Sequence, residues 1–156
     1  MAKEIERKFL VDKNHWKNPE NGTVIKQGFI PTADNTVVRI RITGDNAFLT
    51  IKGKSTGSVR SEFEYSIPVA DAHQMLEELC KRPFIEKIRY VVHYSGYAWE
   101  VDVFQGDNEG LIIAEIELDL ESQEVALPPW VSKEVTDDPR YYNANLVGNP
   151  FSRWHR

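Results

Sequence analysis

Charged and apolar residues alternate along most of this chain, and this period of two constrains the fold more than any other feature of the sequence. Residues of one parity are charged, as in Glu4, Glu6 and Lys8, whereas Ile5 and Phe9 on the other parity are apolar. Because successive side chains of a β-strand point to opposite faces, this pattern predicts strands. We place them at 3–11, 24–31, 36–43, 47–53, 58–67, 85–94, 97–104 and 111–120.

Short links rich in Gly, Asn, Asp and Ser separate these segments, which indicates antiparallel neighbours joined by turns. An antiparallel sheet of about eight strands tends to curl or to close. The alternation also fits an open sheet whose charged face meets solvent. Charged residues at consecutive same-face positions, often of like sign, favour the closed form. The predicted fold class is mainly β (α+β), a closed eight-stranded antiparallel β-barrel, or tunnel, with a charged lumen.

Two segments depart from this period and predict a few helices outside the barrel. In 71–82, apolar residues recur at helical spacing, and Asp71 is the expected N-cap. A second helix is predicted at 139–147, with Asp138 as its cap. Just before it, the stretch 127–137 is ambiguous, and one short helical turn at 131–136 is one interpretation.

Length and composition exclude several classes of protein. The 156 residues fit one domain, taken as 1–156, and the single cysteine, Cys80, excludes an intrachain disulfide. The formal net charge of −5 argues against a nucleic-acid-binding protein. The charged N-terminus does not resemble a signal peptide, and no apolar run approaches the ~18 residues of a membrane span. We therefore expect a cytoplasmic protein with no nucleic-acid or membrane partner.

The charged residues that share a face form the candidate site, and they comprise eight acids and seven bases. Burying so many charges costs free energy unless an ionic ligand or a metal compensates them. The acids are Glu4, Glu6, Glu62, Glu64, Glu100, Asp102, Glu115 and Glu117. The bases are Lys8, Arg39, Arg41, Lys52, Arg60, Lys87 and Arg89.

These residue types suit a phosphorylated ligand bound together with a metal ion. Arginine offers bidentate contacts to phosphate oxygens, and lysine offers a point charge. Clustered carboxylates suit a hard divalent cation such as Mg²⁺ or Mn²⁺. This combination is typical of phosphoryl transfer, in which catalysis is largely positioning and charge neutralisation. The sequence contains no Walker A motif, nucleophile elbow or Cys/His cluster that would indicate another chemistry.

The first predicted strand resembles the E-x-E-x-K motif that opens the CYTH superfamily, also called the triphosphate tunnel metalloenzymes. Alone the motif is weak, but further elements follow in the family's order and extend the resemblance from residue 3 to about 146. The elements are Glu4-x-Glu6-x-Lys8, Arg39-x-Arg41, Leu49-Thr50-Ile51-Lys52, Arg60-x-Glu62-x-Glu64, Lys87-x-Arg89-Tyr90, Glu100-Val101-Asp102, Glu115-x-Glu117, Glu134-Val135-Thr136 and Arg140-Tyr141. The chain is most similar to the short bacterial members that resemble inorganic triphosphatases.

The resemblance implies a triphosphate bound in the tunnel and hydrolysed with Mg²⁺ or Mn²⁺. It implies one set of carboxylates that binds the metal touching the phosphates, and a second set that binds another metal or orients the attacking water. By position, the first set is Glu4, Glu6 and Glu117, and the second is Glu64, Asp102 and Glu115.

The resemblance also implies the residues that bind phosphate. Lys8 would lie near the terminal phosphate, as a general base or as a charge stabiliser, and Lys8 and Glu115 are the catalytic candidates. The implied phosphate ligands are Lys8, Arg39, Arg41, Lys52, Arg60, Lys87 and Arg89.

Inorganic triphosphate is the expected substrate, because the short chain leaves little sequence for a nucleotide-base pocket. The alternatives are a class IV adenylate cyclase, a thiamine triphosphatase, and a non-enzymatic module that binds polyphosphate or nucleotide. One departure from many short members is Phe29, where they carry tyrosine. Exposed apolar strand surface favours a homodimer by fold-level analogy.

Overall fold

The computed structural model describes residues 3–154 as a mainly β structure in which eight strands form a barrel. The strands are β1 (Lys3–Val11), β2 (Thr23–Ile30), β3 (Val37–Thr43), β4 (Asn46–Lys52), β5 (Val59–Ile67), β6 (Ile85–Tyr94), β7 (Tyr97–Phe104), β8 (Ile112–Glu117) and β9 (Val131–Glu134). The α-helices are α1 (Val69–Leu79) and α2 (Asn143–Gly148). Short 3-10 turns occupy Gly106–Asn108, Pro139–Tyr141 and Phe151–Arg153.

The first eight strands close into a ring. Their order is β5-β4-β3-β2-β6-β7-β8-β1, and β1 pairs again with β5. Every neighbouring pair is antiparallel, and the closing contact joins Lys3 with Ser61 and Ile5 with Val59. The predicted closed eight-stranded antiparallel barrel is confirmed. In this ring β2 lies four strands away from β1, so the two strands face each other across the lumen.

A ninth strand was not predicted. The barrel contact of β1 with β5 involves only the first residues of β1, so the rest of that edge needs another partner. The edge is completed by β9, which pairs Val131 with Val11, and by Val135, whose backbone N donates to Lys8 O at 2.8 Å. The interpretation of 131–136 as a helical turn was therefore wrong.

The outer face of β2, β3 and β4 is covered by α1, where Ala72 and Leu76 pack on Ile40 and Ala47. Gly28 permits this close approach, because a Cβ there would lie 2.9 Å from Leu76 Cδ2. The predicted helix existed, but its bounds were wrong. It begins two residues earlier with Pro68 at the N-cap, no side chain caps it, and it ends at Leu79.

The C-terminal segment is not the single helix predicted at 139–147. Asp138 does cap its first turn, accepting from Arg140 N at 3.1 Å, as expected. Tyr142 then adopts an extended backbone conformation, with φ −71° and ψ 132°, and α2 starts one residue later. This break allows the Tyr142 hydroxyl to donate to Thr136 O at 3.1 Å.

The apolar residues of the barrel fall into separate clusters, one of which joins the barrel to α2. Phe29, Ile85 and Phe104 pack there with Leu146 and Val147 from α2. Phe29, which stands where many short CYTH members carry tyrosine, therefore supports packing between the barrel and the C-terminal segment.

Part of the outer barrel surface carries exposed apolar side chains. On β5, Phe63 is 46% exposed and Tyr65 is 57% exposed. The homodimer stays a prediction. None of the helices among residues 3–154 has the length and hydropathy needed to cross a membrane.

Candidate active site

The lumen contains a cavity of about 740 Å³, and it brings the predicted site residues together. Among the residues that line it are Glu4, Glu6, Lys8, Arg39, Arg41, Lys52, Arg60, Glu64, Lys87, Arg89, Glu115 and Glu117. Asp102 is 1% exposed and contacts two of these residues from below the cavity surface. The two acids outside the implied ligand sets, Glu62 and Glu100, also line the cavity.

One side of the lumen is basic. We call Arg39, Arg41, Lys87 and Arg89 the basic wall. They project from β3 and β6, which flank β2. Burial and repulsion from Arg39 lower the pKa of Arg41 to about 9, and burial lowers the pKa of Arg39. An anion in the cavity would stabilise these charges.

The basic wall is anchored by Asp102. Its carboxylate accepts from Arg89 Nε and Nη2 at 2.7 and 2.9 Å and forms an ion pair with Lys87 Nζ at 2.6 Å. Burial alone would raise the pKa of Asp102, but the two cations lower it to about 2. Burial lowers the pKa of Lys87 to about 7 despite this contact, whereas Asp102 outweighs burial at Arg89 and raises its pKa.

Another buried polar pair fixes Arg39. Thr50, fully buried on β4, accepts from Arg39 Nη2 at 3.2 Å and donates to Glu64 Oε1 at 2.9 Å. Arg39 Nε is buried without a hydrogen-bond partner among the described residues. A buried donor in this state favours an acceptor from a ligand, such as a phosphate oxygen.

The opposite side of the lumen is acidic. We call Glu4, Glu6, Glu115 and Glu117 the acidic wall, which β1 and β8 supply. The register places Glu6 directly opposite Glu117. Burial, and then Glu115, raise the pKa of Glu6 to about 8, so at neutral pH Glu6 holds a proton and donates it in a hydrogen bond to Glu115.

Burial and neighbouring charges also shift the pKa values of the other acids of this wall. Burial alone would raise the pKa of Glu115, but Lys8 and the hydrogen bond from Glu6 hold it well below its usual range. Burial raises the pKa of Glu4 although Lys52 Nζ donates to both of its oxygens, at 3.0 and 3.1 Å. Burial and Glu4 raise the pKa of Glu117.

The acidic wall has the chemistry of a metal site but not a preformed geometry. Its carboxylate oxygens are the ligands that Mg²⁺ and Mn²⁺ prefer. Within residues 3–154, however, no three side chains of His, Cys, Asp or Glu converge to hold a metal ion. The carboxylates would have to turn towards one another to coordinate one.

Three uncharged residues of the site were missed by the sequence interpretation. Gln27 and Asn143 form hydrogen bonds to the basic wall, and the Tyr142 ring centroid lies 5.4 Å from Lys8 Nζ. Gln27 could have been found, because it is the one polar residue between Ile25 and Phe29 on the inward parity of β2. No sequence pattern marks Asn143 or Tyr142.

A second cavity of about 480 Å³ adjoins the first. The two share the side chains of Arg41, Glu64, Arg89 and Glu100. The charged centre of the barrel is therefore approached from two sides.

Comparison with known proteins matches residues 2–142 to the CYTH domain. An inorganic triphosphatase of Acetivibrio thermocellus is 49% identical over 154 residues, covering 99% of each chain. An inorganic triphosphatase of Nitrosomonas europaea is 35% identical and covers 92% of this chain and 96% of its own. A crystal structure of an inorganic triphosphatase superposes with a TM-score of 0.65 at 34% identity, covering 92% of this chain and 96% of that one.

Proposed function

This chain belongs to the CYTH domain family, and we propose that it is a metal-dependent hydrolase of inorganic triphosphate. The proposal is carried by one observation: buried cations and buried carboxylates line opposite sides of one lumen. A triphosphate with a divalent cation presents negative charge to one wall and positive charge to the other. Such a ligand compensates both walls.

The basic wall is the proposed phosphate-binding surface, with Lys52 and Arg60 at its margin. Arg39 supplies the buried donor that has no partner among the described residues, and Arg41 has a charge that an anion would stabilise. Lys8 lies opposite Glu115 in the strand register, among the carboxylates of the acidic wall. This position favours Lys8 as a charge stabiliser of the phosphate attacked, and Glu115 as the residue that orients water.

The acidic wall is the proposed metal site, and Mg²⁺ or Mn²⁺ is the proposed ion. When bound, the ion would neutralise phosphate charge and polarise a phosphoryl oxygen. Glu4, Glu6 and Glu117 are proposed as ligands, with Glu115 beside them. The contacts of Asp102 and Glu64 favour a different role, because both carboxylates pair with arginines of the basic wall.

Substrate choice separates this proposal from its alternatives. A class IV adenylate cyclase would convert ATP to cyclic AMP, and a thiamine triphosphatase would prefer thiamine triphosphate. A polyphosphate-binding module would release no phosphate. A panel of inorganic triphosphate, ATP and thiamine triphosphate with Mg²⁺ or Mn²⁺, scored for phosphate and cyclic AMP, distinguishes them. We expect phosphate from inorganic triphosphate to be the dominant product.

The metal site is tested by Glu117→Gln, which keeps the side-chain shape and removes a ligand charge. We expect turnover to fall roughly 100-fold or more, with partial rescue by excess Mn²⁺. Arg41→Ala removes a phosphate contact and should raise KM. The matched control is Glu78→Gln on the exposed face of α1, which should match the parent. If Glu117→Gln is as active as the parent at every metal concentration, the acidic wall is not the metal site.

A further inference from the structure

We propose that Gln27 and Asn143 form an amide relay that positions Arg41 and Lys87 for the phosphate chain, an inference that rests on the proposed function. Gln27 is fully buried on β2, between the two strands that carry these cations. Arg41 Nε donates to Gln27 Oε1 at 2.6 Å, and Gln27 Nε2 donates to Asn143 Oδ1 at 2.7 Å. Lys87 Nζ donates to the same oxygen at 2.8 Å.

The direction of every hydrogen bond in the relay is fixed by its ends. Arg41 and Lys87 have donors and no acceptors. Gln27 must therefore offer its carbonyl oxygen to Arg41 and its amino group to Asn143. Asn143 must then offer its own oxygen, which accepts from both Gln27 Nε2 and Lys87 Nζ. Either amide in the reversed orientation would place two donors against each other.

The relay also separates like charges. Gln27 lies opposite Arg41 in the strand register, and Ile25, two residues earlier, lies opposite Lys87. The charge of Lys87 is disfavoured by burial and by repulsion from Arg89 and Arg41. The two neutral amides give each cation an acceptor without neutralising it, Gln27 for Arg41 and Asn143 for Lys87. Both cations stay available to a ligand, which a carboxylate at residue 27 would prevent.

Through Asn143 the relay reaches the C-terminal segment. Asn143 lines the cavity as the first residue of α2 and follows the extended Tyr142, which lies against Lys8. The segment thus contacts the basic wall through Asn143 and Lys8 through Tyr142. It holds the two sides of the lumen at one spacing.

The test uses Gln27→Met and Asn143→Leu, which keep side-chain volume and remove the amides. Each should lower kcat/KM for inorganic triphosphate roughly ten- to hundredfold, the range expected for a lost hydrogen bond to a charged group. The double variant should lose no more than the worse single variant, because both changes break one relay. The half-saturating metal concentration should not change, because neither amide contacts the acidic wall.

The controls are Gln74→Met on the solvent-facing side of α1 and Asn149→Leu just after α2. Both side chains are exposed and lie outside the cavity lining. Both should match the parent. Gln27→Glu tests the donor–acceptor direction of the relay, because its carboxylate accepts from Arg41 but cannot donate to Asn143. It should be as impaired as Gln27→Met. Parent-like kcat/KM in Gln27→Glu, or effects that multiply in the double variant, would overturn the relay.

Calorimetric binding of inorganic triphosphate without metal separates this inference from the proposed function. If the parent binds inorganic triphosphate in this experiment but releases no phosphate after Mg²⁺ or Mn²⁺ is added, the function fails, and the relay still requires weaker binding by both single variants. If both single variants keep the parent's affinity for inorganic triphosphate and its kcat/KM, the relay itself is overturned. If Gln27→Met does not fold, Asn143→Leu carries the test, because Asn143 is only half-buried.

Discussion

Replacing Asp102 with asparagine should destabilise the barrel more than any single change on its surface. The carboxylate is 1% exposed, accepts two charge-assisted hydrogen bonds from Arg89 and forms a 2.6 Å ion pair with Lys87. The amide introduced by Asp102→Asn would keep the shape of the side chain but lose its negative charge. Its amino group would also face donors. Lys87 would then lose its counter-charge, and Arg89 would keep only its 3.2 Å pair with the exposed Glu100.

The magnitude follows from burial. Removing one partner from a buried ion pair costs about 3–5 kcal/mol, because the remaining charge is left uncompensated. For a chain of this length, each kcal/mol lowers Tm by roughly 2–4 °C. We therefore expect Asp102→Asn to melt roughly 6–20 °C below the parent. The double variant with Lys87→Met should be more stable than Asp102→Asn alone, because it removes one of the uncompensated cations.

Thermal and urea unfolding followed by circular dichroism measure these differences. The control is Glu77→Gln, which breaks a 2.6 Å pair with Arg82 whose side chains are 63% and 58% exposed. An exposed pair contributes about 0–1 kcal/mol, so this variant should stay close to the parent. If Asp102→Asn loses no more than Glu77→Gln, Asp102 is not the anchor of the basic wall.

Three further predictions concern protons and packing. The folded pKa of Asp102 is about 2, against an ordinary 3.8, so the stability gap between the parent and Asp102→Asn should be complete above about pH 4 and shrink towards pH 2 in urea titrations. Because Glu6 holds a proton below its pKa of about 8, apparent metal affinity should rise with pH up to that value. Calorimetry in buffers of different ionisation enthalpy should show proton release near pH 7 that Glu6→Gln abolishes. Gly28→Ala places a Cβ 2.9 Å from Leu76 and should cost about 1–3 kcal/mol in urea unfolding. Gly148→Ala meets no atom within 4 Å and should cost less than about 0.5 kcal/mol.

The barrel could be predicted because its inward and outward faces differ so strongly in charge. Like-charge pairs such as Arg39/Arg41 occur at the spacing of one strand face, and they predicted a shared lumen before any pairing was known. The strand β9 could not be predicted in this way. It is four residues long, and its place depends on how far β5 extends along β1. The extent of the β5 pairing along β1 follows from the stagger of strands in a closed barrel, not from local sequence.

The charged members of the site were predictable for the same reason, whereas its uncharged members were not. An amide has no preferred partner until its neighbours are known. Gln27 acquires its role from its hydrogen-bond partners on β3 and α2, and Asn143 from a chain break at Tyr142 that no propensity marks. The start of α1 was misplaced by a similar limitation, because Asp71 fits a cap motif but lies within the first turn.

The two walls of the lumen explain why the proposed ligand must carry both signs of charge. Burial lowers the pKa of Arg39, Arg41 and Lys87 and raises that of Glu6 and Glu117, so the charged form is disfavoured at these five residues. The walls attract each other across the lumen, but Glu4 does not outweigh burial at Arg39, nor does Glu115 at Arg41. A polyanion alone would satisfy the basic wall and approach the carboxylates unfavourably, and a cation alone would do the reverse. A complex of triphosphate with a divalent metal satisfies both, which favours joint binding of metal and substrate over binding of either alone.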